Sequence, residues 1–176
     1  MTDVDRPISG RVWKFGDSVD TNQLAGGGLQ GATREETLRI NCLRGLRPDF
    51  TEGVGPGDIL VAGHNFGCGS SRQSAVEALR YCGIAAVAAE SVARIHGRNS
   101  IALALPTFVA PGIAEFVEDG DTIEIDHGAG VVRNQRTGGE LPLPRLPESV
   151  LAIYRAGGLA AVIRTKLAAV GIVAAN

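Results

Sequence analysis

The chain has 176 residues, a formal net charge of −2 at pH 7 and 44% hydrophobic residues, which fits a single domain over residues 1–176. Its dispersed Lys and Arg residues and slightly acidic balance argue against a nucleic-acid partner, and no apolar run reaches the length of a transmembrane helix. The N-terminus is polar and acidic rather than a secretory signal, and three widely spaced cysteines form neither a disulfide framework nor a CxxC metal site. We therefore expect a cytoplasmic protein with reduced thiols.

Apolar periodicity and turn residues predict an α/β fold. In chain order, the predicted elements are a strand at 8–15, a glycine-rich loop at 17–34, a helix at 35–43 with Thr33 as N-cap, a strand at 59–62, a helix at 71–82, a strand at 84–89, a helix from 90 to 97 or 99, a strand at 101–105, a meander of short strands at 122–126, 131–134 and 141–143, and helices at 147–154 and 159–169. The alternation between 59 and 105 favours crossover connections and parallel pairing.

The most informative segment is the turn Gly67-Cys68-Gly69-Ser70-Ser71-Arg72, which lies between a predicted strand and a predicted helix. A strand, a glycine-rich turn and a helix together direct backbone N–H groups and a helix dipole at an anion. This turn also carries two hydroxyls and an arginine. One side chain can act on a proton while a guanidinium binds a carboxylate, which predicts an enzyme for a small polycarboxylate.

Each of these side chains also has a simpler structural interpretation. Ser70 is the candidate base if N–H groups, the dipole and Arg72 stabilise its alkoxide; alternatively, Ser70 or Ser71 only caps the helix. Arg72, in the predicted first helical turn, is disfavoured by the dipole, which indicates a carboxylate ligand. The alternative for Arg72 is an exposed side chain or an ion pair with Glu36 or Glu77.

Several polar residues near the turn are secondary candidates. Cys68 is a potential thiol nucleophile, but a small packed residue is the simpler interpretation. His64 and His96 are more often structural than catalytic in such positions. A polar cluster before the glycine-rich loop either forms turns or orients a ligand; it consists of Asp17, Asp20, Thr21 and Asn22.

The chain lacks a Lewis acid of its own. It has no cysteine triplet for an iron–sulfur cluster, no metal site and no Walker or dinucleotide motif. Because Ser70 and Arg72 alone cannot expel a hydroxide, we expect another polypeptide to supply the Lewis acid.

Several segments of the chain resemble those of a known protein family. The run from Gly63 to Arg72 resembles the active-site turn of the aconitase-family swivel domain, most closely that of 3-isopropylmalate dehydratase small subunits. Three further segments agree in order and spacing: Gly10 to Thr21, Arg98-Asn99 before Ala104-Leu105-Pro106, and Gly157-Gly158-Leu159.

The resemblance implies a swivelling β/β/α domain with a mixed sheet flanked by helices. It implies a heterodimer or heterotetramer with a large subunit that carries a [4Fe–4S] cluster, with no cofactor on this chain. The reaction would interconvert 2- and 3-isopropylmalate by dehydration and rehydration, in leucine biosynthesis. Ser70 would be the base, and Arg72, with Gly69 and Ser71, would bind a substrate carboxylate.

The sequence departs from the family pattern in three places. The usual Arg-Glu-His continues here as Arg72-Gln73-Ser74, and the usual Asp-Thr-Asp ends in Asn22. A Tyr-Leu pair that helps to choose the substrate is absent from the following loop, whose candidate selection residues are Leu24, Gly26, Gly27, Gly28 and Leu29. A homoaconitate, dimethylmalate or citramalate-type substrate is therefore an alternative, as is a silent swivel-type module that binds an anion or a partner protein.

Overall fold

The structure, a computed structural model, describes residues 4–27 and 33–172. In chain order its elements are β1 (Ile8–Lys14), α1 (Thr21–Ala25), α2 (Arg34–Asn41), α3 (Phe50–Gly53), β2 (Ile59–Ala62), α4 (Ser74–Tyr81), β3 (Ala86–Ala89), α5 (Arg94–Ala102), β4 (Thr107–Val109), α6 (Ile113–Phe116), β5 (Thr122–Asp126), β6 (Val131–Asn134), β7 (Glu140–Pro142), α7 (Glu148–Arg155) and α8 (Leu159–Ala169). No helix within those residues is both long and apolar enough to cross a membrane.

The strands form one mixed sheet in the order β4-β3-β2-β1-β5-β6-β7. The first four strands of that order are parallel neighbours, and β1 then pairs antiparallel with β5, which continues into the β6–β7 meander. β1 is therefore the seam between a parallel half and an antiparallel half. This arrangement confirms the predicted mixed sheet and the predicted crossover connections.

Both faces of β2 and β3, the central parallel strands, are buried, which explains why these two strands are continuous apolar runs. In β2, Leu60 and Ala62 pack in a core that includes Trp13 and residues of α2 and α4. Ile59 and Val61 point to the opposite face and pack in a second core with residues of β3, β5 and α6. The alternation follows from the two-residue period of a strand.

The predicted strand at 101–105 is wrong. Ile101 and Ala102 end α5, and the chain then turns through Ala104, which has a φ of 54°. The fourth parallel strand, β4, begins only after Pro106. A short apolar run does not by itself distinguish a buried strand from the end of a helix.

The predicted loop at 17–34 contains a helix. Asp20 caps α1 because its carboxylate accepts hydrogen bonds from the N–H groups of Asn22 (2.7 Å) and Gln23 (2.9 Å). The Gln23 amide oxygen accepts in return from the Asp20 N–H at 2.7 Å, which completes a capping box.

The helix after the glycine-rich turn begins later than predicted. α4 starts at Ser74 with Gln73 as its N-cap residue. Ser70 and Ser71 therefore do not cap it, and Arg72 lies before the helix rather than in its first turn. The expected dipole penalty on Arg72 is therefore absent, and the chemistry of the turn depends on its own contacts.

Candidate active site

The turn from Gly67 to Arg72 lies at the carboxyl ends of three neighbouring parallel strands. It follows β2 and contacts the segments that follow β1 (residues 17–21) and β3 (residues 90–93). Loops converge at such an edge, which is where open α/β sheets form their ligand sites.

Backbone hydrogen bonds hold the turn from both sides. On the β1 side, the Thr21 N–H donates to the Cys68 carbonyl at 2.9 Å. On the β3 side, the N–H of Phe66, the residue just before the turn, donates to the Ser91 carbonyl at 3.0 Å. The backbone of the turn is thus fixed by residues distant in sequence.

Thr21 makes two contacts with Ser70. Its Oγ1 accepts a hydrogen bond from the Ser70 N–H at 3.0 Å, and the two hydroxyl oxygens lie 3.1 Å apart. Because the backbone N–H already donates to the threonine oxygen, the single Thr21 hydroxyl proton is available to the Ser70 Oγ. Thr21 is only 1% exposed, so this donor is shielded from competing water.

Two glycines of the turn have backbone conformations that favour glycine. Gly67 has a φ of +75°, and a Cβ there would lie 2.2 Å from the His96 ring. Gly69 has a φ of +94°, and its Cβ would lie 3.2 Å from the Thr21 Oγ1. Any larger residue at Gly67 would therefore displace the turn.

His96 is a buried support beneath the turn. It is 1% exposed, its ring meets Phe66 edge-on at 5.1 Å, and neither ring nitrogen has a hydrogen-bond partner in the described part of the chain. Burial lowers the pKa of His96 from its usual 6.5 to about 4. The imidazole is therefore neutral at physiological pH.

His96→Phe is expected to make folding stability less sensitive to acid. Between pH 6.5 and pH 4 the unfolded chain binds a proton at His96 that the folded chain does not, so this residue costs stability as pH falls. Relative to wild type, the variant should gain about 2 kcal/mol between pH 7 and pH 4.5. Urea unfolding across that range measures the difference, and parallel pH profiles for the two proteins would contradict it.

Arg72 is exposed and lines an open cavity of about 590 Å³. The described part of the chain offers it no ion-pair partner, since Glu77 pairs instead with Arg34. The backbone N–H groups of Ser71 and Arg72 also lack an acceptor among the described residues. Arg72 and these groups are thus available to an anion.

The remaining candidates fall into different positions. His64 is exposed, and its backbone N–H donates to an Asp17 carboxylate oxygen at 2.6 Å. Cys68 is half-buried, with its thiol 3.7 Å from the Ser18 carbonyl. Asp20 serves as the cap of α1.

The expected substrate-selection loop is only partly described. Gly26 and Gly27 line the cavity beside Arg72. Leu24 is fully buried in the core, so its side chain faces away from a ligand, contrary to our expectation. Gly28 and Leu29 lie outside the described residues.

Two residues near the turn carried little signal in the sequence. Asn99 donates from its side-chain amide to the Ser71 carbonyl at 3.2 Å, although it lies 28 residues away. Thr21 resembled a turn former, but the Asp20-x-x-Gln23 capping pattern could have placed it at the start of a helix. In the described residues, no three His, Cys, Asp or Glu side chains lie close enough to hold a metal ion.

Comparison with known proteins agrees with this geometry. Residues 50–110 match the model of the aconitase C-terminal domain. The chain is 46% identical to 3-isopropylmalate dehydratase small subunit 1 of Methanopyrus kandleri, over 89% of this chain and 92% of that protein. It is 43% identical to the methanogen homoaconitase small subunit of Methanothermobacter thermautotrophicus, over 86% of this chain and 88% of that protein.

A solved structure supports the same relationship. The crystal structure of 3-isopropylmalate dehydratase from Methanocaldococcus jannaschii superimposes with a TM-score of 0.87 at 36% identity, covering 94% of this chain and 98% of that one. The match confirms the swivel-type fold expected from the sequence. By its sequence and its fold, the chain belongs to the 3-isopropylmalate dehydratase small-subunit family of aconitase-like proteins.

Proposed function

We propose that this chain is the small subunit of a heteromeric hydro-lyase that interconverts 2- and 3-isopropylmalate by dehydration and rehydration, in leucine biosynthesis. The observation that carries the proposal is the pairing of Ser70 with the buried Thr21 hydroxyl, beside an Arg72 that has no ion-pair partner among the described residues. The names of the relatives in this family support the reaction class.

Ser70 removes the proton from the carbon next to the one that carries the leaving hydroxyl. The alkoxide of a serine is a strong base, so the site must stabilise it before the proton is taken. The Thr21 hydroxyl lies 3.1 Å from the Ser70 Oγ and can donate to its alkoxide. The N–H groups of Ser71 and Arg72, which have no acceptor among the described residues, add positive potential beside it.

Arg72 binds a carboxylate of the substrate through its planar guanidinium, with Gly69 and Ser71 lining the same turn. The proton held on Ser70 returns to the alkene during rehydration. When the hydroxyl is added back to the neighbouring carbon, the result is the isomer rather than the starting acid.

The Lewis acid for the leaving hydroxyl comes from the partner in this proposal. A [4Fe–4S] cluster on a large subunit supplies it, within a heterodimer or heterotetramer. Residues 1–176 form one swivel domain, and the assembly acts in the cytoplasm. Homoaconitate, dimethylmalate and citramalate-type acids are the alternative substrates for the same type of reaction.

The test is reconstitution with a cluster-loaded large subunit of the family, under anaerobic conditions. Alkene formation is followed by ultraviolet absorbance against a panel of 2-hydroxy di- and tricarboxylates, with each subunit alone as the control. We expect turnover only when both subunits are present. A stable complex with an intact cluster that turns over none of the acids would refute the proposal and favour a silent binding module.

A further inference from the structure

Helix α5 supports the glycine-rich turn near both of its ends. The His96 ring lies against Gly67 at the start of the turn, and the Asn99 side-chain amide donates to the Ser71 carbonyl near its end, at 3.2 Å. His96 and Asn99 are three positions apart in α5, so they lie on the same face of the helix. One face of α5 therefore contacts the turn twice, and the contact from Asn99 is a hydrogen bond.

α5 is itself anchored to the segment just before the turn. The Phe66 N–H donates to the Ser91 carbonyl at 3.0 Å, and the Ala93 N–H donates to the Phe66 carbonyl at 2.8 Å. Ala93 is the N-cap residue of α5, so the helix begins at this anchor. Farther along, the Asn99 carbonyl accepts from the Leu103 N–H at 3.0 Å. The backbone of Asn99 is thus held within the helix, and its side chain reaches the turn from a fixed support.

The hydrogen bond from Asn99 sets the direction of the next N–H group in the turn. The peptide bond between Ser71 and Arg72 is planar and trans, so the Ser71 carbonyl and the Arg72 N–H point in opposite directions. Because Asn99 holds the carbonyl toward α5, the Arg72 N–H points away from that helix. This N–H has no acceptor among the described residues, and both residues of the peptide are exposed. A donor at the carbonyl also polarises the peptide, which strengthens the N–H as a donor.

We propose that Asn99 is a positioning residue, which directs the Arg72 N–H at the substrate carboxylate that the Arg72 guanidinium binds. The backbone and the side chain of one residue then hold the same anion, and Asn99 acts through the peptide rather than on the substrate. The Ser70 N–H is not available for this task, because it already donates to the Thr21 Oγ1 at 3.0 Å. This inference rests on the proposed function and adds to it the residue that orients one of its donors.

Asn99→Leu tests the proposal in the reconstituted complex with isopropylmalate as substrate. Leucine keeps the branched shape of asparagine and has a higher helix propensity, so α5 should remain intact while the donor to Ser71 is lost. We expect KM to rise about 10-fold with little change in kcat, since a carboxylate is bound equally in the ground state and the transition state. The inhibition constant of a 2-alkylsuccinate, which has two carboxylates but no hydroxyl to lose, should rise by the same factor. The pH profile of kcat should stay that of the wild type.

Two further variants separate this role from general damage to α5. Asn99→Gln keeps an amide donor on a longer side chain, so its KM should lie between the values for the wild type and Asn99→Leu. Ser100→Ala is the matched control, because the buried Ser100 hydroxyl donates to the His96 carbonyl at 3.0 Å, within α5. It loses the same kind of hydrogen bond away from the turn, and it should leave KM and the inhibition constant unchanged.

Three results would overturn the inference while leaving the proposed function intact. The first is an Asn99→Leu complex with the wild-type KM and inhibition constant. The second is a loss of kcat at an unchanged KM, which would place the effect on the chemical step. The third is an equal rise in KM in Asn99→Leu and Ser100→Ala, which would indicate damage to the helix. A wild-type complex without activity on any hydroxy acid would instead refute the proposed function, and the inference with it.

Discussion

Replacing Ser70 by alanine is expected to lower turnover by about a thousandfold or more, because a positioned general base contributes about 10²- to 10⁴-fold. The side chain is half-buried, and Thr21 is the only described residue that forms a hydrogen bond with its hydroxyl. The fold and the large-subunit interface should therefore survive its removal. Single-turnover assays of the reconstituted complex measure the effect, and co-purification with the large subunit checks assembly.

Ser74→Ala is the control for that experiment. Ser74 is the first residue of α4, outside the Thr21 contact, so its removal should leave turnover within about twofold. Wild-type activity in Ser70→Ala would remove Ser70 from the role of base. Equal losses in both variants would indicate damage to the turn rather than loss of a catalytic hydroxyl.

Thr21→Val is expected to lower kcat about 10- to 100-fold with little change in KM. Valine keeps the shape of threonine but removes both the hydroxyl beside the Ser70 Oγ and the acceptor of the Ser70 N–H. A hydrogen bond to a charged group contributes about 1.5–3 kcal/mol. Since Thr21 is 1% exposed, it lies beneath the turn rather than against a ligand. The pKa of the Ser70 hydroxyl should rise, so kcat/KM should keep increasing to higher pH than in the wild type.

Thr21→Ser separates this role from packing. Serine retains the hydroxyl and loses a methyl group, so it should keep most of kcat and the wild-type pH profile while lowering the melting temperature slightly. If Thr21→Ser and Thr21→Val lost kcat equally with unchanged pH profiles, Thr21 would be only a packing residue.

The buried strands and the helices with clear apolar periodicity could be predicted from the sequence. The runs at Ile59–Ala62 and Ala86–Ala89 have the length and composition of central strands, and the structure places them there. β4 was harder, because its three residues follow Pro106 and the stronger apolar run at 101–105 precedes it. The apolar run at 101–105 predicts a strand there, whereas the strand in the structure follows Pro106. Only the pairing of this strand with β3 locates it.

The site was predictable in part. The glycines, hydroxyls and arginine of the turn are adjacent in the chain, so their proximity was evident. The contact of Ser70 with Thr21 spans 49 residues, and it depends on how the segment after β1 lies beside the turn.

The position of β1 at the seam of the sheet also affects how this protein folds during its synthesis. One edge of β1 pairs with β2. The other edge pairs with β5, where Ile8 lies opposite Ile125, more than a hundred residues later in the chain. During synthesis the first strand leaves the ribosome long before its second partner exists, so its far edge stays open until most of the chain has emerged. Such distant pairing makes folding slow. The edge of β1 that faces β5 therefore stays unpaired longer than the edge that faces β2.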